Sequence, residues 1–311
     1  MKVLLLGGSG WVGHHIAEIL AAEKIDVTIV TRGKKQTFLS EVSSIPSITA
    51  DKNDEAAMRE ILQTPYTHIL DTVPSVNSIS HIHKYAFALR HYIHCSSTGG
   101  YTPLPFVPCN ETAPYGGFST GTGWDFKRKV DNMVLELFRN NGFPATVIRP
   151  CYITGPGMLP LDNFGGRRQD FMADIIAEKP LVLPENGQAL LQPIHVKELA
   201  KSFFLAMMHP AAATGEVYNI CLDHAVTLTR YLELNALAFN KKAVITFDSV
   251  ENILRQQGDK ISETGLRFLA CHMCFDISKA RRDLEFHPAC SPEDAIIESA
   301  LWAAEVTKAA K

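Results

Sequence analysis

Gly7, Gly10 and Gly13 carry the first chemistry that can be read from this chain, in the stretch GGSGWVG at residues 7–13. They stand between an apolar run at residues 3–6 and a helix-like stretch at residues 11–22 in which Val12, Ile16, Ile19 and Leu20 recur about one turn apart. Unpaired backbone N–H groups and the helix dipole attract an anion at such a junction, and glycine lets it approach. Strand, glycine turn and helix together make a cradle for a dinucleotide pyrophosphate, with Ser9, Trp11 and Val12 sharing the loop. A second apolar run, residues 27–30, leads into Thr31, Arg32, Gly33, Lys34 and Lys35. Sites for NAD usually close this strand with an acidic residue on the ribose. A guanidinium there can instead hold a 2′-phosphate through paired hydrogen bonds, so the expected cofactor is NADP in preference to NAD.

Other reactive side chains are arranged less informatively. The seven cysteines are scattered and odd in number, which fits reduced thiols, and Cys271 with Cys274 form a single C-x-x-C that reads as structural, with no metal expected. His81, His83, His91 and His94 fall on a helix and the strand after it without a consistent facing pair, which reads as a histidine-rich helix surface. A formal charge of −3 makes nucleic acid an unlikely partner. No apolar run approaches membrane-spanning length, and the opening one is too short for a signal segment, so the expected location is cytoplasmic and no membrane is expected as a partner.

The elements that must position these groups alternate. Strand-like residues 47–50, a helix at 55–63, a strand at 68–71, a helix at 79–90 and a strand at 92–96 repeat a βαβ logic. The expected fold is α/β, a Rossmann-type doubly wound parallel sheet whose ligands gather at the strand C-terminal ends. Asp51 and the segment Thr72, Val73, Pro74 sit at two such ends, beside the adenine and the pyrophosphate respectively. Residues 99–123 are rich in Gly, Pro, Thr and Ser and read as a long ordered loop containing Tyr101 and Tyr115. A helix at 124–140 and a strand at 145–148 follow, and after Arg149-Pro150 the texture changes. The expected division is a dinucleotide-binding domain of residues 1–155 plus about 192–214, and a smaller, discontinuous α+β substrate domain of about 156–191 plus 215–311. A cleft should lie between them.

Seven segments in order resemble the extended short-chain dehydrogenase/reductase superfamily, in particular its NAD-dependent epimerase/dehydratase-like members. They are GGSGWVG at 7–13, HCSSTGGY at 94–101, FKRKVDNMVLE at 126–136, IRPCYITGPG at 148–157, QPIHVKELA at 192–200, GEVYNI at 215–220 and FDISKARRDLEFHP at 275–288, and the likeness covers nearly the whole chain. The resemblance implies that Ser97, with Thr98 as understudy, holds the reacting oxygen and that Lys127 binds the nicotinamide ribose. It also implies that Pro150, Cys151 and Tyr152 lie against the nicotinamide, and that residues 180–192 border the substrate. The general-acid tyrosine expected four residues before Lys127 is replaced by Gly123. Trp124 cannot stand in, because an indole N–H does not cycle a proton near neutral pH. Tyr115 is the leading substitute, with Tyr101 and Tyr152 behind it. Three functions are therefore implied: an atypical NAD(P)-dependent enzyme acting on a carbonyl or secondary alcohol of a nucleotide sugar or related small molecule, a non-catalytic NADP-binding regulator, or an RNA binder like the chloroplast stem-loop-binding branch. The near-neutral pI and the lack of an aromatic-basic stripe weigh against the last. A homodimer through helices 79–90 and 126–140, with Met133, Val134 and Leu137 on the face, is a further expectation from the resemblance. Substrate specificity is expected in the least patterned segments, residues 159–168 and 246–271.

Overall fold

β1 (Lys2–Leu6) begins the sheet because its apolar residues can be buried on both faces: Val3 and Leu5 point into one core cluster, Leu4 and Leu6 into the other. The computed structural model describes residues 1–33, 44–116 and 123–309, so Lys34, Lys35 and part of the loop at 99–123 lie outside the described residues. The chain continues through α1 (Trp11–Ala22), β2 (Asp26–Thr31), β3 (Ser47–Thr49), α2 (Glu55–Ile61), β4 (His68–Asp71), α3 (Val76–Tyr85) and β5 (His91–Cys95). A 3₁₀ turn at Thr98–Tyr101 precedes α4 (Gly123–Asn141), β6 (Ala145–Pro150), β7 (Tyr152–Thr154), α5 (Phe171–Ile176), β8 (Leu181–Pro184), β9 (Leu190–Leu191), β10 (Pro193–His195) and α6 (Val196–Met208). Then come α7 (Pro210–Ala213), β11 (Val217–Ile220), β12 (Val226–Thr227), α8 (Leu228–Leu237), β13 (Ile245–Asp248), α9 (Val250–Gln257), α10 (Glu263–Leu269), α11 (Ser278–Leu284) and α12 (Pro292–Ala309).

Seven strands form one sheet in the order β11-β6-β5-β4-β1-β2-β3, and every neighbouring pair is parallel. This is the doubly wound arrangement expected from the alternating pattern. α1 and α6 pack together on one face; Met58 and Ile61 of α2, Ile79 and Ile82 of α3, and Val130 and Val134 of α4 cover the other. Val134 therefore finds an apolar partner within its own chain, as do the half-buried Met133 and Leu137. The remaining strands make two-stranded ladders: β7 with β10, packed on α6 and α12, and β8 with β13 and β9 with β12 among the helices of a smaller region.

Three expectations need correction. Val217–Ile220, assigned by sequence to the smaller domain, is the edge strand of the main sheet, paired in register with Val147–Pro150. The crossover through α6 returns the chain to the sheet, and Tyr218 and Ile220 are fully buried there. α3 starts earlier than the pattern indicated because Ser75 and Ser78 form a reciprocal capping box, and it ends at Tyr85. The histidines do not share one helix surface: His83 alone is exposed on α3, His81 is buried, and His91 and His94 are inside β5, a central strand covered on both faces. His91 Nε2 lies 2.8 Å from Thr146 Oγ1, and His94 Nε2 lies 2.9 Å from Asp131 Oδ1.

Candidate functional site

The strand C-terminal ends open into a cleft of about 1140 Å³ that also reaches the smaller region. At the β1 end the backbone turns sharply. Gly7 has a φ of +86°, and its carbonyl accepts the Gly10 N–H at 2.9 Å. α1 starts so close beneath this turn that a Cβ on Gly13 would lie 2.1 Å from the Gly7 oxygen. Gly7, Ser9, Gly10, Trp11 and Val12 line the cleft, while Gly13 lies behind them and makes the close approach possible. An open turn of this shape at a helix start fits a pyrophosphate. The loop is tied down on both sides: Ser9 Oγ lies 2.6 Å from Thr31 Oγ1, and the Trp11 indole N–H donates to the Pro156 carbonyl.

Next around the rim come Thr31 and the exposed Arg32, then Asp51, Lys52 and Asn53, then Thr72, Val73 and Pro74. Asp51 folds back on its own turn, accepting from Asn53 N at 2.9 Å and Asn53 Nδ2 at 3.0 Å. The Asn53 backbone hydrogen bond, with Arg32 and Lys52 nearby, holds its carboxyl below the usual range. Lys52 was not singled out in the sequence. Its amine is 2.9 Å from the fully buried Asp71 carboxylate and also donates to the Val73 carbonyl, joining the ends of β3 and β4 under the cleft floor. Its position directly after a strand end was the available signal.

At the β5 end, Ser97, Thr98 and Lys127 all line the same cleft. Ser97 Oγ accepts the Gly99 N–H at 3.1 Å, which leaves its own hydrogen available to a ligand. Lys127 reaches it from α4 and donates to the Cys95 carbonyl at 3.0 Å. Pro150, Cys151 and Tyr152 form the facing edge, where the Tyr152 hydroxyl accepts the Leu161 N–H at 3.0 Å and lies 3.2 Å from the Tyr231 hydroxyl.

Tyr115, the leading substitute acid, is not brought into the cleft with them. Its hydroxyl donates to the Ser97 carbonyl at 2.8 Å and lies 3.1 Å from Ser96 Oγ, so it stands behind the strand end. Its ring fills space left by Gly100, where a Cβ would lie 2.3 Å from it, and stacks 3.3 Å under the Arg149 guanidinium. Burial raises its hydroxyl well above the ordinary range. Tyr101 is held in the same layer, 2.6 Å from Arg149 Nη1, and burial pushes it up to about 12. Arg149 Nε donates in turn to Asp131 at 3.0 Å. Burial alone would raise the Asp131 carboxyl, but His94 and Arg149 outweigh it and hold it below the usual value. This chain from His94 through Asp131 and Arg149 to the two tyrosines is a buried frame that fixes the Ser96-Ser97 backbone.

The far half of the cleft is built by Leu161, Gly165 and Arg167 and by Gly265, Phe268, Leu269 and Met273. Most of these fall in the two segments expected to set specificity. None of residues 180–192 lines the cleft, because they are taken up by the β8–β13 and β9–β12 ladders.

Comparison with known proteins agrees with this architecture. The model of the NAD dependent epimerase/dehydratase family matches residues 3–221. The chain is 28% identical over 243 residues to the chloroplast stem-loop binding protein of 41 kDa b from Arabidopsis thaliana, covering 73% of this chain and 60% of that protein. It is 22% identical over 183 residues to a UDP-D-apiose/UDP-D-xylose synthase of Oryza sativa subsp. japonica, covering 51% of this chain and 45% of that one. The match thus spans less than two thirds of either relative. Among solved structures, UDP-glucose 4-epimerase of Thermotoga maritima with UDP-glucose superposes with a TM-score of 0.76 at 18% identity, covering 98% of this chain and 99% of that one. dTDP-glucose 4,6-dehydratase of Bacillus anthracis in complex with NAD gives 0.76 at 16% identity, covering 99% and 98%. At such identities the likeness is one of fold. The chain belongs to the NAD dependent epimerase/dehydratase family.

Proposed function

We propose that this family member holds NADP along its strand ends and uses it on a carbonyl or secondary alcohol, such as that of a nucleotide sugar or a related metabolite. The observation that carries the reading is continuity: the glycine turn, Arg32, Ser97 and Lys127 all line one cleft. In this reading the dinucleotide unit comprises residues 1–155, about 192–214 and the β11 strand, with the substrate held by the rest. The turn at Gly7 to Val12 takes the pyrophosphate, Arg32 the 2′-phosphate, and Lys127 the nicotinamide ribose. Bound NADP or NADPH supplies the hydride chemistry. Ser97 donates its free hydroxyl hydrogen to the substrate oxygen, and the Lys127 ammonium favours negative charge developing beside it. With Gly123 in the tyrosine's place, the proton that balances hydride transfer comes from solvent water in the open cleft, and Ser97 holds the reacting oxygen by its hydrogen bond.

A second reading, a non-catalytic NADP-binding regulator, is favoured by one observation: Tyr115 is committed to the Ser97 carbonyl behind the cleft. Oxidation of NADPH against a panel of small carbonyls and 4-keto nucleotide sugars decides between them. The enzymatic reading expects turnover that falls at least about 100-fold in Ser97→Ala with cofactor binding unchanged. Tight NADPH binding without turnover of any panel member favours the regulator, and salt-sensitive binding of structured RNA would favour the activity named in the chloroplast relative.

A further inference from the structure

The substrate half of the cleft has a composition that narrows what it can hold. Trp124 stacks on Phe268 with ring centroids 4.2 Å apart and planes at 26°. Leu161, Leu269 and Met273 extend that surface. The wall is held by backbone contact: a Cβ on Gly165 would lie 2.3 Å from the Gly265 carbonyl oxygen, so the turn at residues 162–168 meets α10 directly. Asp162 fixes this turn by accepting the N–H groups of Phe164, Gly166 and Arg168 at 2.8, 3.0 and 3.1 Å.

The two arginines of the turn are treated differently. Arg168 is held away by Asp174 and by Asp170 at 3.1 Å. Arg167 lines the cleft, its guanidinium 5.4 Å from the Tyr152 ring centroid with one N–H on the Leu159 carbonyl. Lys127 stands at the nicotinamide boundary, and beyond it Arg167 is the one charged side chain among the described lining residues. Among the described lining residues the only carboxylate is that of Asp51, at the opposite end.

We propose that the substrate carries a flat, apolar or aromatic body and a single anionic group, the body lying against the Trp124–Phe268 stack and the anion on Arg167. This rests on the functional reading above and narrows its substrate class away from nucleoside diphosphates. One guanidinium matches one carboxylate or phosphate bidentately. The further charges of a diphosphate and the polar edge of a base would be desolvated against Leu, Met and Phe without partners. A flat apolar body instead gains from stacking and burial on the same surface.

The test is calorimetric titration of the NADP⁺-loaded protein with benzoylformate, its neutral twin acetophenone, and UDP-glucose. Benzoylformate is expected to bind at least about tenfold tighter than acetophenone, and UDP-glucose more weakly than either. Arg167→Leu should remove the advantage of benzoylformate and leave acetophenone unchanged, while Phe268→Ala should weaken both. UDP-glucose binding tighter than benzoylformate, or an Arg167→Leu variant that holds benzoylformate as well as wild type, overturns the proposal. NADP⁺ binding with no benzoylformate binding overturns this proposal alone, whereas failure to bind NADP⁺ at all overturns the functional reading with it.

Discussion

Gly13→Ala should disable the cofactor cradle by geometry alone. The added methyl would lie 2.1 Å from the Gly7 oxygen and 2.8 Å from both the Gly7 carbonyl carbon and Gly8 Cα. Ordinary carbon–oxygen contact lies at about 3.3 Å, so turn and helix must separate by about 1 Å. α1 cannot simply retreat, because Ile16, Ala17 and Leu20 are fully buried in the same cluster as Leu199 and Phe203 of α6. The turn must move instead, and its Gly10 to Gly7 hydrogen bond with it. A displacement of this size at a binding site costs about 100-fold, or about 2.7 kcal/mol. Gly10→Ala is the comparator for the protein's own packing: its methyl meets only the Gly7 oxygen, at 3.2 Å, so it should melt like wild type, although its place on the cleft wall sets it against the pyrophosphate. NADPH fluorescence titration measures both, with thermal melts to confirm that each variant is folded. A folded Gly13→Ala protein that binds NADPH like wild type, or a Gly10→Ala variant that melts lower than Gly13→Ala, would overturn this geometry.

Two further outcomes follow from the buried charges and histidines. Lys52→Met strands the fully buried Asp71 carboxylate and should lower unfolding free energy by about 3 kcal/mol in urea titrations, with Asp71→Asn in the same background recovering most of it. His91 is held neutral by burial, its pKa down from 6.5 to about 4, and its Nδ1 is buried without a partner among the described residues. Between those values the unfolded chain binds the proton and the fold does not. The contribution is therefore complete above about pH 6.5 and lost as pH falls toward 4, about 3 kcal/mol in all. Urea midpoints at pH 7, 5.5 and 4.5 should show this fall, and His91→Gln should flatten it.

Much of the cofactor half was legible because it depends on local order. The Val3 to Leu6 run, the glycine spacing and the helix behind it specify strand, turn and helix within a few residues, and the recurring βαβ pattern then orders the sheet. Ser97 and Lys127, placed by resemblance, do reach one cleft from β5 and α4. What failed to show depends on distant partners. His91 and His94 look like surface groups until Thr146 and Asp131 are brought against them by parallel pairing of β5 with β6. Tyr115 looks available until Gly100 and Arg149 are seen to give its ring a place behind Ser97. Val217–Ile220 is too short to announce its sheet, and its assignment is fixed only by the register with β6. Phe268 and Arg167 carry no spacing signal because the Gly165–Gly265 contact that assembles their wall joins segments about 100 residues apart.

Dinucleotide binding along the strand ends is tested most directly by a paired titration of the wild-type protein with NADPH and NADH, repeated with Arg32→Glu. NADPH is expected to bind at least about tenfold tighter than NADH, with the preference lost in the variant while NADH affinity holds. Failure of the folded wild-type protein to bind either dinucleotide would contradict that expectation.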